Sequence, residues 1–176
     1  SGLRVAVVDV AEIYNEFNGG IFNPHAIRDF LAYAYQHWVR PAPTYVLLVG
    51  DAVQDYKDNL QQGQSNYVPT LLVETAHLGE TPTDNLFVAV HDNDILPAMF
   101  IGRLAVETAD QAEAVVNKII AYEQSPPDAT WNQRVLLVAD DGDSAFRANS
   151  EQLAARYPSS YTIERVYAEH YPPGNP

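Results

Sequence analysis

Short apolar, β-branched runs separated by stretches of helical periodicity constrain this chain more than any other feature. Tyr45-Val-Leu-Leu-Val49, Met99-Phe-Ile-Gly-Arg-Leu-Ala-Val106 and Arg134-Val-Leu-Leu-Val-Ala-Asp140 show almost no apolar/polar alternation. That is the pattern of strands covered on both faces of a parallel sheet. Val5-Ala-Val-Val-Asp-Val10 reads the same way and is expected to be the first strand. Between the first two runs, Asn23-Pro24 supplies a cap and a first-turn proline. Ile27, Phe30, Leu31, Ala34 and Trp38 then recur at helical spacing until Pro41 ends the pattern. Thr108-Ala-Asp-Gln111 is a capping-box pattern opening a second helix, with Ala112, Val115, Val116 and Ile119 expected inward. A third helical stretch runs from about Phe146 to Tyr157, ahead of a strand at Thr162-Ile-Glu-Arg-Val-Tyr167. Strand, helix and strand in succession imply right-handed crossovers, so the expected fold class is α/β, a parallel sheet flanked by helices.

A chain of 176 residues with 47% apolar side chains can bury one sizeable core or two small lobes. Ser125-Pro-Pro-Asp-Ala-Thr130 is the linker-like stretch, because adjacent prolines cannot continue the helix before them. The expected organisation is therefore a first α/β lobe over 1–127 and the beginning of a second over 128–176. The region from Ala52 to Ser65 is polar and without pattern. Tyr67–Val73 and Asp84–Val90 are expected as extended pieces joined by a Gly- and Pro-containing loop.

Charge and composition exclude several functions. A net charge of −13, from 23 acidic against 10 basic side chains, repels nucleic acid and anionic membrane surfaces. The apolar runs fall far short of the roughly 20 residues that span a bilayer. Gly19-Gly20 lacks the spacing of a phosphate loop. With no cysteine, the chain offers no disulfide, no thiolate metal cluster and no thiol nucleophile.

Asp9-Val-Ala-Glu-Ile-Tyr-Asn-Glu-Phe17, Ala26-Ile-Arg-Asp-Phe-Leu-Ala-Tyr-Ala-Tyr35, Tyr45-Val-Leu-Leu-Val-Gly-Asp51, Thr83-Asp-Asn85, Phe100-Ile-Gly-Arg-Leu104, Ile120-Ala-Tyr-Glu123 and Trp131 follow one another in order and at suitable spacing. Together these stretches resemble the gingipain-like cysteine peptidases of family C25. The resemblance implies a caspase-like architecture: two similar lobes, the second incomplete here, with a catalytic Cys–His dyad carried by that second lobe. It also implies a His in a Gly-His-Gly context and, further along, a Cys nucleophile, neither of which this sequence contains. A thiolate must attack the scissile carbonyl and an imidazole must protonate the leaving amine. The chain is accordingly expected to be the N-terminal part of a cysteine endopeptidase, inert alone, whose partners are polypeptide substrates and the remainder of the catalytic domain. An extracellular or cell-surface location follows from the resemblance alone.

The resemblance also directs attention to Asp140-Asp141-Gly142. Family members place an acid after the first strand of the second lobe, where it orients the catalytic imidazole, and Asp141 is the candidate for that role. The alternative is that these acids end a strand and cap the next helix. Asp143 stands where a substrate-binding acid for a basic residue would fall. The five histidines, His25, His37, His77, His91 and His170, lack flanking glycines and read as ordinary surface or structural residues. Asp51, Asp55 and Asp58, and separately Asp92 and Asp94, gather oxygen ligands of the kind calcium takes, outside any helix-loop-helix pattern. The resemblance requires no cofactor and makes calcium the ion to test. Two other readings compete. One is a non-catalytic C25-like interaction or surface domain. The other, a phosphorylation receiver suggested by Val135-Leu-Leu-Val-Ala-Asp-Asp141, fails on length, since 35 residues after Asp141 cannot complete that fold.

Overall fold

The structure, a computed structural model, describes residues 2–61, 63–90, 96–124 and 130–171. Its contacts divide the chain into two compact units, Ser1–Ile120 and Ala121–Pro176. The expected linker at 125–130 lies almost wholly outside the described residues.

The first unit opens with a correction. Residues 2–9 form no strand; Val5 is 84% and Val7 95% exposed. The cause is Asp9, which lies inside the apolar run. Its carboxylate accepts from the Ala11 amide at 2.8 Å and caps a helix, α1 (Val10–Asn18). The chain therefore turns helical at Val10, and no neighbouring strand among the described residues pairs with residues 2–9. Helix α2 (Pro24–His37) begins as expected, with the Asn23 side chain accepting from His25 N at 3.0 Å and Pro24 in the first turn.

Strands β1 (Tyr45–Val49) and β4 (Phe100–Leu104) pair in parallel, with Tyr45 opposite Phe100 and Leu48 opposite Arg103. One face of this pair, through Val46, Leu48 and Ile101, packs on a core containing Ile13, Ala26, Ile27, Leu31 and Phe87. Phe87 and Val88 are fully buried, each contributing about 1.5–3 kcal/mol through apolar burial. The other face leaves Tyr45 65%, Leu47 61% and Phe100 69% exposed.

In the middle of the unit Leu71–Val73 is extended as expected, but the segment after it, expected as a loop, carries a second strand. Strands β2 (Leu71–Thr75) and β3 (Gly79–Thr83) form an antiparallel hairpin, Thr75 opposite Gly79. A three-residue loop closes it, and Gly79 takes φ +66°, the left-handed conformation such loops need. The stretch from Asp84 to Val90 is no strand: Asn85–Phe87 is a short 3₁₀ turn that drives Phe87 and Val88 into the core.

Helix α3 (Ala109–Glu123) opens as the capping-box pattern predicts. Gln111 N donates to Thr108 Oγ1 at 3.2 Å, and Gln111 Oε1 accepts from Glu107 N at 2.7 Å. Its expected inward face is not buried. Ala112 and Val115 are half-buried, while Val116 and Ile119 remain 43% and 42% exposed.

In the second unit β5 (Arg134–Ala139) and β6 (Thr162–Tyr167) pair in parallel through the crossover helix α4 (Ser144–Ala154). Helix α4 packs against β5, and Ala139 and Tyr167 are buried. Both units are thus α/β with a parallel strand pair; α4 joins β5 to β6, whereas among the described residues β1 reaches β4 through the β2–β3 hairpin and the 3₁₀ turn rather than through a crossover helix. No helix among the described residues is long and apolar enough to cross a membrane.

Candidate functional site

In open α/β sheets the polar groups that do chemistry collect in the loops at the carboxyl ends of the strands. In the first unit that end is organised by Arg103, near the end of β4. All five of its N–H groups are used. Nε and Nη2 donate to the two oxygens of Asp84, each at 2.8 Å. Nη1 donates to Gly50 O at 2.7 Å and Val68 O at 2.6 Å, and Nη2 also donates to Pro69 O at 3.0 Å. Asp84 further accepts from Thr70 Oγ1 at 2.9 Å. The two side chains are 13% and 24% exposed. Burial pushes the Asp84 carboxyl up, but the Arg103 and Thr70 hydrogen bonds and the guanidinium charge outweigh it and hold the carboxyl below its ordinary range.

Gly50, the residue after β1, has φ +141°, and a Cβ there would lie 2.9 Å from both Tyr67 Cβ and Val68 Cγ2. Glycine lets the strand exit pass close enough for its carbonyl to reach Arg103. Beyond it, Ala52, Val53 and Gln54 face the hairpin residues Leu72, Glu80 and Pro82 across a cleft of about 410 Å³ floored by Thr70, Asp84 and Arg103. A second cleft, of about 450 Å³, shares Ala52, Val53 and Gln54 with the first and is also lined by Asp51, Ser65 and Glu107.

The first acidic trio does not converge. The Asp51 carboxylate accepts from Ala52 N at 2.9 Å, and Asp55 accepts from Leu60 N at 2.7 Å and Asn59 Nδ2 at 3.1 Å. Asp58 accepts from Gly63 N at 3.0 Å. The Leu60 hydrogen bond is the main influence holding Asp55 below its ordinary range. Each acid closes its own turn, and no group of three His, Cys, Asp or Glu side chains placed to hold a metal ion forms among the described residues. Asp92 and Asp94 lie outside the described residues, as does His91.

In the second unit the Asp140–Asp143 loop leaves β5 beside the exit of β6, since Ala139 is opposite Tyr167. The acids there divide their work. Asp140 Oδ1 accepts from Asp141 N at 2.8 Å and closes the strand exit; Asp143 Oδ1 accepts from Ala145 N at 2.8 Å and caps α4. The Asp141 carboxylate makes no hydrogen bond or ion pair with the described residues. Elsewhere in the unit, Arg147 pairs with Glu169 and lies 5.7 Å from the Tyr167 ring centroid. His170 Nε2 is 3.4 Å from Glu169. Glu151, on α4, accepts from Arg165 Nε at 2.9 Å and from the Tyr167 hydroxyl at 2.8 Å. Those two bonds, Arg165 first, hold the Glu151 carboxyl low, while burial and then Glu151 push the Tyr167 phenol up.

Of the remaining histidines, His25 and His37 begin and end α2, with His37 Nδ1 3.1 Å from Tyr33 O, and His77 sits in the exposed hairpin loop. The residues that sequence reasoning missed are Asp84, Arg103 and Thr70. Asp84 and Arg103 stood in two of the recognised stretches, Thr83–Asn85 and Phe100–Leu104, without a role.

A parallel α/β fold with its polar loops at the carboxyl ends of the strands defines the class of protein this is. Within that class, the family model described as peptidase family C25 matches residues 1–175, and the chain belongs to that family. No curated protein matches the sequence. Two solved structures share the fold. The Arg-specific cysteine proteinase gingipain R is 21% identical with a TM-score of 0.60, the match covering 94% of this chain and 39% of that one. Dimeric latent PorU from Porphyromonas gingivalis is 20% identical with a TM-score of 0.55, the match covering 86% of this chain and 18% of that one. The chain thus spans well under half the length of either.

Proposed function

We propose that this chain is the front part of a C25 cysteine endopeptidase whose Cys–His dyad is supplied by polypeptide beyond residue 176, and that it is proteolytically inert alone. The observation that carries the reading is a family match over residues 1–175 in a sequence with no cysteine. The chemistry of the family requires a thiolate, and no other side chain supplies one at neutral pH. What this chain contributes is the frame: the first unit, and in the second the opening strand, crossover helix and neighbouring strand.

Within that frame Asp141 is the residue assigned to orient the catalytic imidazole. Asp140 and Asp143 are taken up by the strand exit and the helix cap. The Asp141 carboxylate, in the loop after a parallel strand, takes no hydrogen bond from the described residues, and there it can accept from an imidazole N–H, hold the tautomer and stabilise the imidazolium. Asp143 keeps one oxygen for a basic substrate side chain, so its role in specificity rests on that second oxygen alone. The substrates are polypeptides, and the location is extracellular or at a cell surface.

Expression of the parent reading frame through the following hundred or so residues tests this. The longer polypeptide is expected to hydrolyse peptide substrates in a reducing-agent-dependent manner, and this chain alone is not. In the longer polypeptide Asp141→Asn is expected to lower kcat while leaving the fold intact. Unchanged turnover would remove Asp141 from the mechanism. A folded, processed and silent longer polypeptide would make the chain part of a non-catalytic C25 domain.

A further inference from the structure

The β2–β3 hairpin is attached to the first unit unevenly. At its base Leu71 is 6% exposed and joins the core, whereas Leu78 at the tip is 79% exposed. Neither hairpin strand is laddered to β1 or β4, and the two pairs form separate sheets. The Arg103 guanidinium ties the hairpin's base to the parallel pair, beside the Leu71 side chain in the core and the Tyr67 and Val68 amides, which donate to Asp51 O at 3.0 and 3.2 Å. The guanidinium grips the carbonyls of Val68 and Pro69 on the way into β2, the Asp84 carboxylate on the way out of β3, and the Gly50 carbonyl at the exit of β1. Gln54 and Glu80, which both line the 410 Å³ cleft, meet in a long, exposed hydrogen bond, Gln54 Nε2 to Glu80 Oε2 at 3.4 Å.

We propose that the Asp84–Arg103 pair is a clasp that holds the hairpin as a flap forming one wall of this cleft, and that opening the clasp releases the flap while the rest of the unit stays folded. The inference is independent of the peptidase reading. A planar five-donor fork spans four partners that the compact, three-donor ammonium of lysine cannot. A two-stranded hairpin without support is marginal in water, so a released flap loses the protection of its own ladder. The cleft it walls lies where open α/β folds take their ligands, which makes the clasp a control on access to it.

Hydrogen exchange followed by mass spectrometry on the whole chain at pH 7 tests the clasp, with Arg103→Lys and the milder Thr70→Val. Hydrogen bonds to a charged group contribute enough that Arg103→Lys is expected to speed exchange in peptides covering 70–84 by about tenfold or more, with α2 and β1 unchanged. Thr70→Val, which takes one donor from Asp84, is expected to give a smaller increase confined to the same peptides. Unaltered hairpin exchange in a folded Arg103→Lys protein would overturn the clasp, as would equal acceleration of the hairpin and α2. If Arg103→Lys does not fold, Thr70→Val decides. Faster exchange limited to 70–84 supports the clasp, and uniform or absent change rejects it.

Discussion

Gly50→Ala separates two ways in which a glycine can be required. At φ +141° an L residue is strained by roughly 1–3 kcal/mol. The added methyl would also meet Tyr67 Cβ and Val68 Cγ2 at 2.9 Å. Tyr67 Cβ is fixed to the backbone and cannot rotate away, so relief requires the 67–68 segment to shift, an overpacking cost of roughly 1–3 kcal/mol. Movement there also strains the grip of Arg103 on Val68 O. The sum is about 2–6 kcal/mol. Gly19 is the internal control: its φ is +60°, but nothing lies within 4 Å of a built Cβ, so Gly19→Ala carries strain alone, about 1 kcal/mol. Urea unfolding of both variants, followed by far-UV circular dichroism and tryptophan fluorescence, is expected to show Gly50→Ala losing at least twice the stability of Gly19→Ala. Equal losses, or a larger loss at Gly19, would refute the close approach of the strand exit to residues 67 and 68.

Two further outcomes concern the core and the clasp. Phe87→Ala empties a fully buried aromatic site and is expected to cost about 3–5 kcal/mol in the same unfolding assay, while a loss under 1 kcal/mol would place Phe87 outside the core. Asp84 has a folded-state carboxyl held low, so its stabilisation is complete above the unfolded value near 3.9 and is lost as pH falls through the folded value. The stability gap between wild type and Asp84→Asn is therefore expected to be wide at pH 7 and pH 5 and to narrow below about pH 4; a constant gap down to pH 2 would show that the carboxylate charge is not its source.

The regular elements were legible where one local signal sufficed. Asn23-Pro24 announced α2, Thr108 and Gln111 announced α3, and the apolar runs gave β1, β4 and β5. Val5–Val10 misled because an apolar β-branched run says that a segment can be a strand and not that a partner stands beside it. Asp9, counted as part of that run, is instead the cap that starts α1. The hairpin was hidden because Leu71–Thr75 and Gly79–Thr83 carry little apolar alternation, and its turn depends on the left-handed φ of Gly79, in a segment first read as a loop. The clasp was illegible for a different reason. Asp84 and Arg103 lie in stretches whose individual residues can be listed in order, but their pairing is set by where β3 and β4 end in space. The acids of residues 140–143 were visible as a group, yet which of them caps, which closes the turn and which stays uncommitted depends on backbone angles.

Thiol chemistry in the longer polypeptide tests the central claim most directly. Intact-mass measurement after treatment with a peptidyl thiol-directed covalent inhibitor is expected to show one modification per molecule, on a cysteine beyond residue 176, with loss of peptide hydrolysis in step with labelling. A folded longer polypeptide that contains cysteine, hydrolyses no peptide and takes no label would contradict the assignment of this chain to a working cysteine peptidase.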